Sequence, residues 1–274
     1  MKIGKLFKII ALPVAVGLVV LLEIKRPLRK TVESKPIRSG RNLLMIGTAS
    51  AAMMLAEQPV INKLTKFVEK NNFGLLKIFK LPQKLEIILA ILLLDYTLYL
   101  WHVSTHKVPF LWRFHLVHHV DLDLDSSTAF RFHFGEILIS VIWRAMQILL
   151  IGASPQAVKL WQSIMLPAVL FHHSNIKLPL DFDERLRKII VTPKMHGIHH
   201  SAVLEETDSN WSTILSVWDR VHGTMKTDVR QDEITIGVPA YQNPQDVGLN
   251  KLIVLPFVEQ RQGWQISDTK ENEL

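Results

Sequence analysis

Three histidines crowd five positions of the segment LWRFHLVHHVDLD, residues 111–123: His115, His118 and His119. The same spacing recurs in HGIHH at His196, His199 and His200, and HVSTH pairs His102 with His106. His172 and His173 form a further adjacent pair, and His133 stands between the clusters. An i, i+4 pair lies on one face of a helix and can grip one metal ion. Adjacent members of a triplet diverge by about 100° around the axis, which suits two metals better than one. Packing so many neutral imidazoles without metal would leave ring nitrogens unpaired, and protonating them would set like charges against each other. The clusters therefore read as metal sites. The chain has no cysteine, so any metal is held by nitrogen and oxygen; such a set suits iron and also zinc.

The elements that must position these residues are apolar helices. Hydrophobic residues make up 48% of the 274 positions, and the order in which they occur decides the class. Runs nearly free of charge cover about residues 9–22, 43–61, 85–101, 137–151 and 157–171, each near the ~17 to 25 residues a bilayer crossing requires. The expected fold is all-α, an integral membrane protein of four to five spans with a helical cap. A charged start before the first run could belong to a secretion signal, but no small-residue cleavage pattern follows, so an uncleaved anchor is expected. The net charge of +7 is dispersed between the apolar runs rather than along one face, which fits anionic headgroups and not nucleic acid.

All twelve histidines lie between positions 102 and 222. The fourth and fifth runs form an out-and-back pair around GASP, returning His172 and His173 to the side of the first clusters. Every cluster can then reach one site at one membrane face. The turn at GASP has no Lys or Arg, whereas the chain beyond Asn175 has eleven, which puts the histidine side in the cytoplasm. A bacterial inner membrane is the favoured location over an endoplasmic reticulum. On the third run, Asp95 and Tyr99 precede His102 on the ligand face, where a carboxylate and a phenol can support metal-bound imidazoles. The acidic Asp121, Asp123 and Asp125 read as a solvated loop, in preference to a headgroup contact.

The set HVSTH, HLVHH, FHHSN and HGIHH, with STAFRFHFGE and NWSTILSVWDRVHGT around it, resembles the fatty acid hydroxylase/sterol desaturase superfamily of membrane di-iron oxygenases over about residues 91–225. The resemblance places the family's first box on His102 and His106, its second on His115, His118 and His119, and its last on His196, His199 and His200. It also places a ligand on His173 with Asn175 beside it, and gives weaker positions to His172 and to His133 after Arg131. Asp95, Tyr99 and Asn175 are the candidate catalytic residues. His222 stands where the family more often has an aromatic, so it reads as structural. Phe134, Trp211 and Ser212 depart from the family pattern without touching an expected ligand. Asn210, Trp218, Asp219 and Gly223 keep it, and read as a packed helix end.

The resemblance implies two iron ions, with zinc able to replace them in purified samples, and dioxygen as co-substrate. It implies a lipid such as a fatty acyl chain or sterol, entering from the bilayer and hydroxylated or desaturated. No Gly-rich dinucleotide fingerprint and no attached haem module are visible, so a separate ferredoxin, or a small haem carrier with its reductase, is the expected electron donor. Residues 1–90 read as N-terminal membrane helices with basic juxtamembrane segments, 91–225 as the catalytic domain and 226–274 as a tail. A histidine-rich metal transporter and a haem-binding electron carrier are the alternatives. The first would place its histidines near the middle of the spans, and the second needs opposed histidines rather than repeated adjacent pairs.

Overall fold

Proline placement explains much of how the chain is divided into helices. The computed structural model describes residues 16–261 together with positions 14 and 263; the first apolar run, 9–22, lies partly outside the described residues, and 16–25 are helical. Helix α1, Lys35–Ala52, opens with Pro36, whose missing N–H is no loss in a first turn. It passes through a π-helical turn, Met53–Glu57, into α2, Gln58–Asn71. Pro59 accounts for that turn: it offers no N–H to the carbonyl of Leu55 and its ring crowds the preceding turn, which the wider π geometry relieves. The run at 43–61 is thus the middle of a longer rod. Lys63, Lys66, Glu69 and Lys70 do not end it because they occupy its exposed face, while Ile61, Thr65 and Val68 are buried.

Helix α3, Gln83–Lys107, ends where Val108 turns extended before Pro109, and α4, Pro109–His119, starts at that corner. The corner folds HLVHH back toward HVSTH. Helix α5, Phe134–Ile151, is followed at once by α6, Pro155–His173, with Ser154 as the N-cap of α6. The turn depends on Gly152 at φ 78°, and Gly74 at φ 106° lies so close that a Cβ there would meet the Gly152 backbone. Helices α5 and α6 both pack on α3, α1 packs on α5, and α2 reaches both α5 and α6.

Among the described residues no strand forms; there are only isolated bridges, such as Pro27 with Ile176. Among the described residues three helical stretches are long and apolar enough to cross a membrane, Lys35–Ile78, Gln83–Lys107 and Phe134–Ile151; the first of the four or five expected runs lies partly outside those residues. Helix α6 is as long as α5, but Lys159, Gln162 and its terminal histidines make it more polar. Leu43, Leu55, Ile142 and Leu150 on the qualifying stretches are 66–80% exposed, an apolar outer surface that suits lipid better than water.

The polar half of the chain is assembled from distant segments. Helices α7, Pro193–His199, and α8, Val217–Val221, lie in the polar half of the chain, and α9, Leu249–Val254, brings Leu252 into one apolar cluster with Met45, Leu116 and Val120. The acidic segment is not a solvated loop. Asp121 is fully buried and Asp123 and Asp125 nearly so. Arg38 of α1 donates to Asp121 through Nε (2.9 Å), to Asp125 through Nη1 (2.7 Å) and to Thr128 (2.7 Å), while Asn42 reaches Asp121 at 3.0 Å. Asp123 accepts from the main-chain N–H groups of Val32 and Glu33. These carboxylates lock the segment after α4 to the start of α1. Burial opposes the charge on Asp121, but Arg38, Arg131 and Arg41 outweigh it and hold that carboxyl well below the usual range.

Candidate metal centre

Nine histidines converge into two groups. His102, His106, His115, His119 and His199 form one, and His118, His173, His196 and His200 the other; within each, one ring nitrogen per residue lies within 4.8 Å of all the rest. The adjacent residues are divided between them. His118 and His119 leave the last turn of α4 on different sides, and His199 and His200 do the same at the end of α7. The near-100° step between neighbours on a helix thus serves both groups from each of these two boxes.

Main-chain carbonyls orient most of the rings whose partners are resolved. His102 Nδ1 lies 2.7 Å from the Trp211 carbonyl, so Trp211 does touch an expected ligand, contrary to the sequence expectation, because its main chain passes the edge of that ring; His199 Nδ1 lies 2.8 Å from the Ser209 carbonyl and His173 Nδ1 2.9 Å from that of Val169. A carbonyl only accepts, so each Nδ1 carries the proton and each Nε2 presents a lone pair to its group. His115 Nδ1 makes the equivalent contact with Glu136 Oε1 at 2.9 Å. In the first group the Nε2 atoms of His106, His115, His119 and His199 are buried without a hydrogen-bond partner among the described residues. In the second, Nε2 atoms run at 3.1, 3.0 and 3.1 Å from His118 through His173 and His196 to His200. Two nitrogens bound at right angles to one ion, each at ~2.1 Å, would lie about 3.0 Å apart. The donors therefore fit metal ions. Burial, followed by neighbouring histidines, depresses the basicity of His118, His119, His196, His199 and His200 well below the usual imidazole range, which keeps them neutral and able to ligate.

Other expected site residues lie elsewhere. His133 is in neither group: its Nδ1 accepts from the Gly135 N–H as the N-cap of α5, and its Nε2 lies 3.1 Å from the Ile253 carbonyl, tying α5 to the tail. His172 is also outside both, with its ring centred 4.2 Å from that of His196. Asp95 and Tyr99 share the face of His102 and His106, yet they reach a different partner. Asp95 Oδ2 accepts from Trp218 Nε1 (2.8 Å) and the Leu215 N–H (3.1 Å), and Tyr99 meets Thr224 at 3.2 Å. Asn175 exchanges hydrogen bonds with the main chain of Arg29. The hydrogen bonds resolved for these three fasten segments together, the loop 211–224 to α3 and the segment around Arg29 to the end of α6, and none of them is to a histidine of either group. Burial raises the Asp219 carboxyl; it accepts from the N–H groups of Trp211 and Ser212 and so braces the loop whose Trp211 carbonyl holds His102. His222 stacks on Tyr99, with centroids 4.9 Å apart.

Two supports have partners that the sequence does not show, although the family pattern includes Arg131. Glu136 occupies the first turn of α5, where an acid favours the helix dipole in any protein, so nothing marks it as the partner of His115. Arg131 Nη1 donates to the Val117 carbonyl at 2.7 Å, closing the C-terminal end of α4 beneath the histidines it carries. Glu136→Gln keeps an acceptor for His115 but loses its charge. Metal affinity is expected to fall ~10 to 100-fold with the fold intact, measured by metal titration beside circular dichroism; unchanged affinity would remove Glu136 from the site.

An apolar cavity of about 180 Å³ adjoins the histidines, walled by Leu98, Trp101, Phe132, Ile137 and Met165 among others. Known proteins share the segment that builds this centre. The model of the fatty acid hydroxylase family matches residues 87–224, half the chain, and the match contains all nine converging histidines. An ornithine lipid hydroxylase of Rhizobium tropici is 32% identical over 161 residues, 57% of this chain and 46% of the relative. Human alkylglycerol monooxygenase is 30% identical over 51% of this chain and 30% of its own length, and human cholesterol 25-hydroxylase 25% identical over 52% of each. The chain thus spans about half or less of these relatives. No solved structure matches. With half its length matched and the histidines within that half, the chain belongs to the fatty acid hydroxylase family.

Proposed function

We propose that this protein is a membrane oxygenase that uses dioxygen and external electrons to hydroxylate a lipid. The observation that carries the reading is the convergence of two histidine groups, seven of whose nine members are buried, beside an apolar cavity. Hydroxylation is favoured over desaturation because the relatives are a lipid hydroxylase, an alkylglycerol monooxygenase and a cholesterol hydroxylase. His102, His106, His115, His119 and His199 would hold one iron ion, and His118, His173, His196 and His200 the other. When bound, that pair supplies the redox chemistry that activates dioxygen.

The chain's own residues do the rest. Glu136 and the carbonyls of Trp211, Ser209 and Val169 fix the imidazole tautomers. Phe132 lies parallel to His118 with centroids 4.6 Å apart and, with Trp101 and Ile137, keeps the chamber apolar, so that a C–H bond meets the oxidant in place of water. In the balanced reaction one oxygen atom enters the C–H bond and the other leaves as water, which consumes two electrons and two protons. A separate ferredoxin or haem carrier is proposed to deliver the electrons. The fourth apolar crossing at α6, a cap on the cytoplasmic side and lipid entry from the bilayer belong to this reading. Close Nε2 packing at 3.0–3.1 Å leaves no room for a macrocycle between those histidines, which disfavours the haem carrier.

Comparing the lipids of cells with and without the protein, by mass spectrometry, tests the function. Species heavier by one oxygen atom should depend on the intact chain; a loss of two hydrogens would replace hydroxylation by desaturation. An identical lipid profile in cells shown to hold the metallated protein and a working donor would sink the reading.

A further inference from the structure

The cavity beside the histidines has a polar end that the metal chemistry does not use. Arg144 and Glu57 both line it, paired at 3.0 Å from Nε to Oε1. Both residues belong to helical stretches apolar enough to cross a membrane, where ionisable side chains are costly and usually serve a site. Glu57 closes the π-helical turn in a rod that is otherwise α-helical, and such turns often mark functional positions. The guanidinium is held in place: Nη1 donates to Gln147, Gln147 to Thr97 at 2.6 Å, and the group lies 4.6 Å over the Trp161 ring. These contacts employ Nε and Nη1, and no hydrogen bond to Nη2 is resolved among the described residues. Gln162 of α6 lines the same cavity.

The helix ladder gives the distance. Glu136, beside the histidines, and Arg144 are eight residues apart on α5, which at 1.5 Å per residue is about 12 Å along the axis. Ile137, Ser140 and Arg144 form one stripe facing the cavity, and Gln162, Met165, Val169 and His172 form the opposing stripe on α6. An apolar passage thus joins an oxidising end to a cationic, hydrogen-bonding end.

We propose that Arg144, supported by Glu57 and Gln147, is the recognition point for an oxygen acceptor of the lipid, a carboxylate, ester or amide carbonyl, or hydroxyl. With the ~12 Å axial rise from Glu136 to Arg144 as the scale, the acceptor and the atom presented to the histidines are separated by roughly ten carbons of an extended chain, each bond advancing ~1.25 Å along the chain axis. Arg144 is a binding residue that fixes which carbon reaches the metal centre. The proposal rests on the histidine groups being that centre, but it concerns equilibrium binding and can be tested without turnover.

The test compares dodecanoic acid, dodecan-1-ol and dodecane on the purified, metal-loaded protein by equilibrium dialysis in one detergent, so that partition into micelles cancels between variants. Wild type should prefer the acid to the alkane by about tenfold or more, with the alcohol between them. E57Q/R144M, which leaves no lone buried charge, should lose that preference while keeping its metal, and R144K should retain most of it. A wild type without preference, or an E57Q/R144M protein that keeps it, overturns the proposal. Should the double variant fail to fold, photolabelling of wild type decides. A diazirine next to the carboxylate must label the peptides containing Glu57 or Arg144, and one at the methyl end those containing the histidines; the reverse pattern overturns it. Absence of oxidised lipid in cells would count against the hydroxylase reading and leave this comparison to stand by itself.

Discussion

His119→Ala and His199→Ala are each expected to strip metal from the protein and to reduce product by more than about 100-fold, the upper end of what loss of a supporting residue costs. Each removes an Nε2 donor from the five-histidine group, and the neighbours His118 and His200 cannot take its place because their rings face the other group. Two comparators give the experiment its meaning. His133→Ala should keep full metal content, because that ring caps α5 and holds the tail; the cost should be about 1 kcal/mol of stability, as for other lost helix caps. His222→Phe should be nearly silent, since a phenyl ring can stack on Tyr99 as the imidazole does. Metal analysis and product formation on the same membranes decide the matter. If His133→Ala lost metal as completely as His119→Ala, the ligand set would have to be redrawn.

The second large effect is on folding. Arg38→Met is expected to destabilise the protein by about 3–5 kcal/mol, because it leaves Asp121 and Asp125 buried with their main cationic partner gone. For a chain of this size that corresponds to a fall in the unfolding temperature of roughly 10 °C or more in detergent. R38M/D121N should recover part of the loss, since one of the unpaired charges disappears with its partner. A single variant melting within a degree or two of wild type would show that the carboxylates find other partners. The effect should reach the metal centre too, because Asp121 follows His119 by two positions and fixes the chain leaving α4.

Histidine spacing alone makes much of the site legible. Periodicity implies that His118 and His119 face different ways, and the out-and-back helices imply that distant boxes share one face. The role of residues whose partners are remote in sequence is not legible in this way. Asp95 lies on the ligand stripe of α3, yet 120 positions separate it from Leu215, the main-chain partner it serves. The acidic repeat reads as solvated because its cations, Arg38 and Arg41, lie 80 or more positions upstream. Helix extent is hidden for a different reason: hydropathy ends a run at the first lysines, whereas a helix continues as long as its charges keep to the exposed face, as in α2.

The division of adjacent histidines between the two groups carries a consequence for how rigid their spacing is. Among the described residues neither group contains a carboxylate, so none of their side chains is shared by both groups to stretch or rotate and adjust the gap. Each box spans that gap with one peptide unit instead, whose ends are fixed ~3.8 Å apart by covalent geometry. Between His118 and His119, and again between His199 and His200, the chain itself acts as a ruler. A change of charge at one group would therefore be absorbed by tilting imidazoles and by the carbonyls behind them, and the distance between the centres would be inherited from the backbone.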